Sequence, residues 1–322
     1  MTAPRRVLPG RTYLLTRRCL ERRFYLRPDP EVTQIFEYLL AVACERFGIH
    51  LHAYVMMSNH YHLVVTDQDA KLPAFQQYFN SLLARAVNQH RKHWGAFWDR
   101  DSYNAVDLLE QHAVFDKIAY TELNPVRAHL VKRRTHWAAP TSAGASYGQQ
   151  RTVSRPEGFF SDKMPRQATL SLHLPPSTNK PQAEAQRLDA ITARRGQSPS
   201  PTKPLGMRRV LRQRWTSSPT TSEAHRKLRP RFASRCAQIR IHALIEYRKW
   251  IERYRTALAS FKHGDRNIPF PHGSYWMCVR LGCCSSTALV RVVRGNQPQC
   301  GQESGGSWAS ISPSPELPSA PK

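Results

Sequence analysis

Two stretches of the chain combine residue types that could do phosphate chemistry. The first is Met57-Ser58-Asn59-His60-Tyr61-His62-Leu63-Val64-Val65. Ile49–Met57 and His60–Thr66 read as neighbouring strands joined by a turn at Ser58–Asn59. In a strand, residues i and i+2 share a face. His60 and His62 therefore project side by side, while Tyr61, Leu63 and Val65 point to the opposite face, which helices must cover. Two imidazoles on one open sheet face are half of a divalent-metal site. An acid or amide oxygen, water and a phosphate oxygen would fill the other positions. The same pair also reads as two solvated histidines on an exposed face.

The second stretch is Ile118-Ala119-Tyr120-Thr121-Glu122-Leu123-Asn124-Pro125-Val126-Arg127-Ala128. Val114, Phe115 and Ile118 define the apolar side of a helix. At about 100° per residue, Tyr120 falls on the other side with Asp116, Lys117 and Asn124. Tyr120 and Asn124 are an i,i+4 pair and hence neighbours. A phenol there could attack phosphorus, and an amide oxygen one turn on could complete a metal site. Pro125 cannot continue the hydrogen-bond ladder, so a break at Asn124 is expected. The alternative is an amphipathic tyrosine at the edge of the core.

The first 140 residues must position these groups. Apolar periodicity and breakers give the order strand (13–19), helix from Pro30 to Gly48, strand (49–57), strand (60–66), helix (73–93, ended by Gly95), strand (97–98 and 103–106) and helix (108–123). That order points to an α+β fold, an antiparallel or mixed sheet with helices on one face. Residues 141–232 are rich in Pro, Ser, Thr and Gln and read as linker. Residues 233–282 hold a basic helical segment, and 283–322 read as a disordered tail.

Composition narrows the function. The 322 residues carry 48 Lys and Arg against 23 Asp and Glu, a formal charge of +25. Residues 1–150 hold 19 against 13 and the remainder 29 against 10, so the excess lies in the second half. A polyanion, nucleic acid above all, is the partner this implies. Arg17, Arg18, Arg22, Arg23, Arg85, Arg91, Lys92, Lys132, Arg133 and Arg134 are candidate phosphate contacts, with Trp94, Trp98 and Tyr103 as stacking platforms. Further basic runs, 208–214, 226–235 and 248–255, would add backbone affinity. No apolar run reaches the ~18 residues of a membrane span, and no signal-peptide core follows the amino-terminal arginines. Seven cysteines without repeated spacing suit a reduced, cytosolic chain. No phosphate-cradling Gly-x-x-x-x-Gly-Lys is present.

Together the two stretches resemble the HUH single-strand tyrosine transposases, of the REP-associated or insertion-sequence type with one catalytic tyrosine. The family's His-hydrophobic-His corresponds to His60-Tyr61-His62, introduced by Met57-x-Asn59. Its tyrosine helix corresponds to Tyr120 followed by Asn124-Pro125-Val126-Arg127-Ala128, and Tyr120 lies 58 residues after His62. The resemblance spans roughly residues 10–137. It implies a sheet-and-helix catalytic domain with ferredoxin-like layers that cuts and rejoins single-stranded hairpin DNA. Tyr120 would be the catalytic nucleophile, forming a 5′-phosphotyrosine bond and leaving a free 3′-hydroxyl. His60, His62 and Asn124 would bind Mg²⁺ or Mn²⁺. It also implies a nucleoid-associated, cytoplasmic protein with no membrane partner, and leaves open a homodimer. Two departures stand out: a tyrosine between the histidines, where aliphatic residues are commoner, and the long basic extension.

The chemistry is consistent with those roles. Attack on a phosphodiester builds charge on nonbridging oxygens, which a cation stabilises. A covalent tyrosyl ester conserves the bond energy, so rejoining needs no nucleotide cofactor. A free phenol ionises near about pH 10, so a metal, a cation such as Lys117 or a base must assist it. Two other readings stand beside this one: a catalytically inactive, transposase-derived protein that binds structured single-stranded DNA or RNA, and a metal-dependent hydrolase in which water is the nucleophile.

Overall fold

The computed structural model describes residues 4–100, 103–195, 203–220, 230–283 and 285–286. The chain divides into residues 1–288 and 289–322. The second unit, and with it nearly all of the expected 283–322 tail, lies outside the described residues. The first unit holds all the described strands and helices.

Strand β1 (Arg11–Arg18) leads to helix α1 (Pro30–Phe47), a hairpin of β2 (Ile49–Met57) and β3 (His60–Asp67), helix α2 (Leu72–Arg91), β4 (Asn104–Leu108) and helix α3 (Gln111–Arg127). This is the element order expected from periodicity. Local chemistry sets the boundaries. Asp29 accepts the Val32 N–H at 3.1 Å, Pro30 occupies the first turn, and Gly48 closes α1 at φ 64°. The Asp67 carboxylate accepts the N–H groups of Lys71 and Leu72, both at 2.8 Å, and starts α2. Helix α2 ends at Lys92, in the left-handed region at φ 51°, rather than at Gly95.

The sheet is mixed, with strand order β2-β3-β1-β4-β7, where β7 (Phe232–Ala233) pairs parallel to β4 and all other pairs are antiparallel. The α+β class with a mixed sheet is therefore as expected. Helices α1 and α2 cover one face. There Phe36, Tyr61 and Phe79 meet edge-on, with ring centroids 5.4–6.0 Å apart. All three are fully buried, worth about 2–3 kcal/mol each on area removed from water. Helix α3 packs against β2 and β3 on the opposite face, the one that carries His60 and His62. The two-sided cover is what brings the tyrosine helix to the histidine strand.

Residues 141–232, expected as linker, contain the hairpin β5 (Gln150–Ser154) and β6 (Gln167–Ser171), helix α4 (Lys180–Arg195) and the short helix α5 (Met207–Arg212). Tyr147, Val153, Ala168, Leu170, Ala183 and Val210 join the main core. The apolar residues there are few and widely spaced, so composition alone conceals them. Helix α6 (Ala237–Lys262) stacks Tyr247, Trp250 and Tyr254 along one side. The Tyr247 hydroxyl donates to the Pro4 carbonyl at 2.6 Å, tying α6 to the amino-terminal arm. No helix among the described residues is long and apolar enough to cross a membrane.

A buried relay on the histidine face gives the fold a pH dependence. His52 Nδ1 donates to the His173 carbonyl at 2.9 Å, and its Nε2 accepts the Thr66 hydroxyl at 2.7 Å, which in turn accepts from Thr12 at 2.8 Å. Burial pushes the His52 imidazole down to about 4. The unfolded chain protonates this residue below about pH 6.5 and the folded chain resists until about 4, so stability falls as pH drops through that window. Urea unfolding at pH 7 and pH 4.5 should show wild type losing about 2–3 kcal/mol more than His52→Gln.

Candidate active site

Strand β3 presents His60 and His62 on one face through simple alternation. Their ring centroids are 4.8 Å apart. His60 Nδ1 lies 2.6 Å from Asn59 Oδ1, and His62 Nδ1 lies 2.7 Å from Thr16 Oγ1, its register partner on β1. In each ring Nδ1 thus serves the protein, and Nε2 is the nitrogen that would ligate a metal. An oxygen partner on the far nitrogen is the usual support of a metal-binding histidine. Burial holds the His62 imidazole well below its ordinary value, and His60, Arg18 and Lys117 add to this. His62 is therefore neutral at physiological pH, the form a metal takes. The donor set fits a divalent cation, with two imidazoles converging from one strand.

Tyr120 comes to the same place from α3. Its ring centroid is 5.2 Å from that of His62, edge to face. The residues on either side of it, Ala119 and Thr121, are fully buried, while Asp116, Lys117, Tyr120 and Asn124 are half-buried. The helical-face reading of this segment matches that pattern. Helix α3 does not break at Asn124. It runs through Pro125 to Arg127, and the ladder resumes beyond the proline with Ala128 N–H to Asn124 O and Leu130 N–H to Pro125 O, at 2.9 and 3.0 Å. Asn124 lies one turn beyond Tyr120, and no contact of its amide with either histidine is found among the described residues. Helix α3 thus brings Tyr120 directly to His62, with Asn124 adjacent.

Tyr61 is not available as a competing nucleophile. It is fully buried on the α1–α2 side and its hydroxyl donates to Asn80 Oδ1 at 2.7 Å, with Gln76 Oε1 at 3.2 Å. Burial pushes its phenol above the ordinary range.

The other singled-out cations divide into two groups. Arg91 is buried in an ion pair with Asp29, and Arg134 donates to Glu122 at 2.6 Å, so neither can serve a phosphate. Arg17 lies over Trp98, 5.7 Å from its ring centroid, and Trp98 Nε1 donates to the Asn80 carbonyl at 2.9 Å. Trp94 is 99% exposed. Sequence reasoning passed over Arg194 on α4, whose guanidinium carbon lies 5.5 Å from the Tyr120 ring centroid. Its signal was an Asn179 side chain capping the Gln182 N–H at 3.0 Å ahead of a helix.

A second cluster could hold a cation on residue type alone. Asp29, Glu31 and His90 place ligand atoms within 4.8 Å of one another. Asp29, however, already caps α1 and pairs with Arg91 and Arg27, so that cluster is accounted for by the fold. A cavity of about 320 Å³, lined by Arg6, Arg11, Tyr103, Asp107 and Tyr247 among others, shares no residue with the histidine–tyrosine group.

Residues 12–113 match the family model described as "Transposase IS200 like". Over that segment the chain resembles the IS200-like transposases, as its motifs implied. The match takes in His60 and His62 and stops short of Tyr120 and Asn124. Among solved structures, the chain is similar to a REP-associated tyrosine transposase bound to a REP hairpin, at 16% identity and TM-score 0.37, over 44% of this chain and 82% of that one. It is also similar to a protein assigned as a transposase from Deinococcus radiodurans, at 22% identity and TM-score 0.27, over 33% and 85%. No curated protein matches the chain.

Proposed function

We propose that the protein is a metal-dependent tyrosine transposase that nicks single-stranded hairpin DNA and transfers the strand through a 5′-phosphotyrosine intermediate. The observation that carries this reading is the Tyr120 ring packed against His62, which itself adjoins His60. A nucleophile and two metal-type ligands converge there from different elements. The family match over residues 12–113 and the +25 charge support a DNA substrate.

In this reading the Tyr120 oxygen attacks the scissile phosphorus, the P–O3′ bond breaks, and the leaving strand departs with a free 3′-hydroxyl. A second 3′-hydroxyl later attacks the phosphotyrosine, restoring a phosphodiester and freeing the phenol. His60 and His62, with Asn124 as third oxygen donor, would hold Mg²⁺ or Mn²⁺, which supplies Lewis-acid stabilisation of the phosphate charge. Thr16 and Asn59 fix the two rings for that task.

The test is cleavage of labelled hairpins taken from the DNA flanking the gene. Wild type should cut with Mn²⁺ and stop on chelation. His62→Ala should lose about 10³-fold in rate, the several kcal/mol that a bound cation contributes. Cleavage that persists unchanged in chelator and in His62→Ala would refute the metal assignment.

A further inference from the structure

Helix α4 lies outside the family-matched segment, yet it packs on α3 beside Tyr120. Ile191 closes a small apolar cluster with Ala119 and Leu123, which flank the tyrosine one residue before and three after. One turn upstream, buried Arg187 pairs with buried Glu122 of α3 and donates to the carbonyls of Ser142 and Ala145, at 2.9 and 2.7 Å. These contacts fix the far end of α4 and deliver Arg194 to Tyr120.

Three cations then surround one ring. The Arg194 and Arg127 guanidinium carbons and Lys117 Nζ lie 5.5, 5.6 and 5.7 Å from the Tyr120 centroid. The carboxylate beside them, Asp116, gives both oxygens to Arg235, at 2.7 and 2.8 Å. Arg194 donates to the Asp116 carbonyl at 3.1 Å, and its buried Nε has no partner among the described residues. Burial, reinforced by Arg127, holds the Arg194 guanidinium below its ordinary value, and burial with Arg194 does the same to Lys117. Like charges crowded in this way destabilise one another unless an anion joins them.

We propose that Lys117, Arg127 and Arg194 form a binding notch for a phosphodiester of the DNA strand, at or next to the bond Tyr120 attacks, and that α4 is the element that completes it. The guanidinium fork suits a phosphate better than an ammonium does. The strand's identity rests on the function proposed above. The notch itself rests on the arrangement of charges.

The test uses the full chain and a flanking hairpin, in equilibrium binding without divalent metal so that no cleavage intervenes. Arg194→Gln should lower the slope of log K against log salt by about 0.7, the loss of one single-strand phosphate contact. Arg194→Lys should keep the slope. Hairpins carrying one uncharged methylphosphonate at a time should identify a position whose neutralisation weakens wild type severalfold and leaves Arg194→Gln no weaker. Lys117→Gln should couple to the same position, which covers the case of an Arg194 variant that loosens α4. An unchanged slope for both Gln variants, or equal sensitivity of all proteins to every neutral phosphate, would overturn the proposal. So would an absence of hairpin binding by wild type. A chain that binds with this signature and never cuts would refute the enzyme reading and leave the notch standing.

Discussion

Tyr120→Phe should abolish strand cleavage, with a fall on the order of 10⁴-fold or more, and leave hairpin binding within about twofold of wild type. The magnitude is that of removing a covalent nucleophile rather than an assisting group. The specificity follows from the surroundings. Phenylalanine keeps the edge contact with His62 and the ring between Lys117, Arg127 and Arg194, so only the hydroxyl is lost. Single-turnover gels together with fluorescence anisotropy check both halves. Cleavage retained in Tyr120→Phe would indicate water as nucleophile. Binding without cleavage in wild type itself would favour the inactive, nucleic-acid-binding reading.

Glu122→Ala should destabilise the protein by about 3–5 kcal/mol, the cost of stranding a buried charge. Glu122 is fully buried on the side of α3 away from Tyr120's cations, and its carboxylate receives Arg187, Arg134 at 2.6 Å and Ser142 at 3.0 Å. Without it, Arg187, only 3% exposed, has among the described residues no matching charge but the more distant Glu184 at 3.5 Å. For a domain of this size the loss corresponds to a drop of about 10 °C in Tm. Replacing both members together, as in a Glu122→Met, Arg187→Met chain, should recover most of it, because a buried pair exchanged for apolar bulk is close to neutral. Differential scanning calorimetry distinguishes the cases. A single variant as stable as wild type would mean that α4 is not anchored through this pair.

Much of the site was legible in the residues. Alternation alone puts His60 beside His62 and turns Tyr61 inward, and a 100° step places Tyr120 opposite Val114 and Ile118. Pro30 and Gly48 marked the two ends of α1. What periodicity could not convey is which sheet face a helix chooses. Helix α3 buries residues around much of its circumference, since Thr121, Glu122 and Leu123 are buried as well as Val114 and Ile118, and polar Thr121 and Glu122 do not signal that second contact side in the sequence. Pro125 misleads because the loss of its one N–H removes a single rung, and the ladder resumes beyond it at Ala128. Helix α4 escaped notice for a different reason. Its contact positions are Ala183, Arg187, Ile191 and Arg194, a helical stripe in which half the members are arginines, and hydrophobic patterning does not register a buried ion pair. Its tertiary role depends on Glu122, some 65 positions earlier in the chain.

The most direct measurement is to trap the protein on a flanking hairpin with Mn²⁺, digest it with trypsin and locate the attached nucleotide by mass spectrometry. A phosphodiester-linked nucleotide is expected on Tyr120 within the tryptic peptide 118–127, absent when metal is chelated. A nucleotide found on any other residue, or complete cleavage with no covalent peptide adduct, would contradict Tyr120 as the nucleophile.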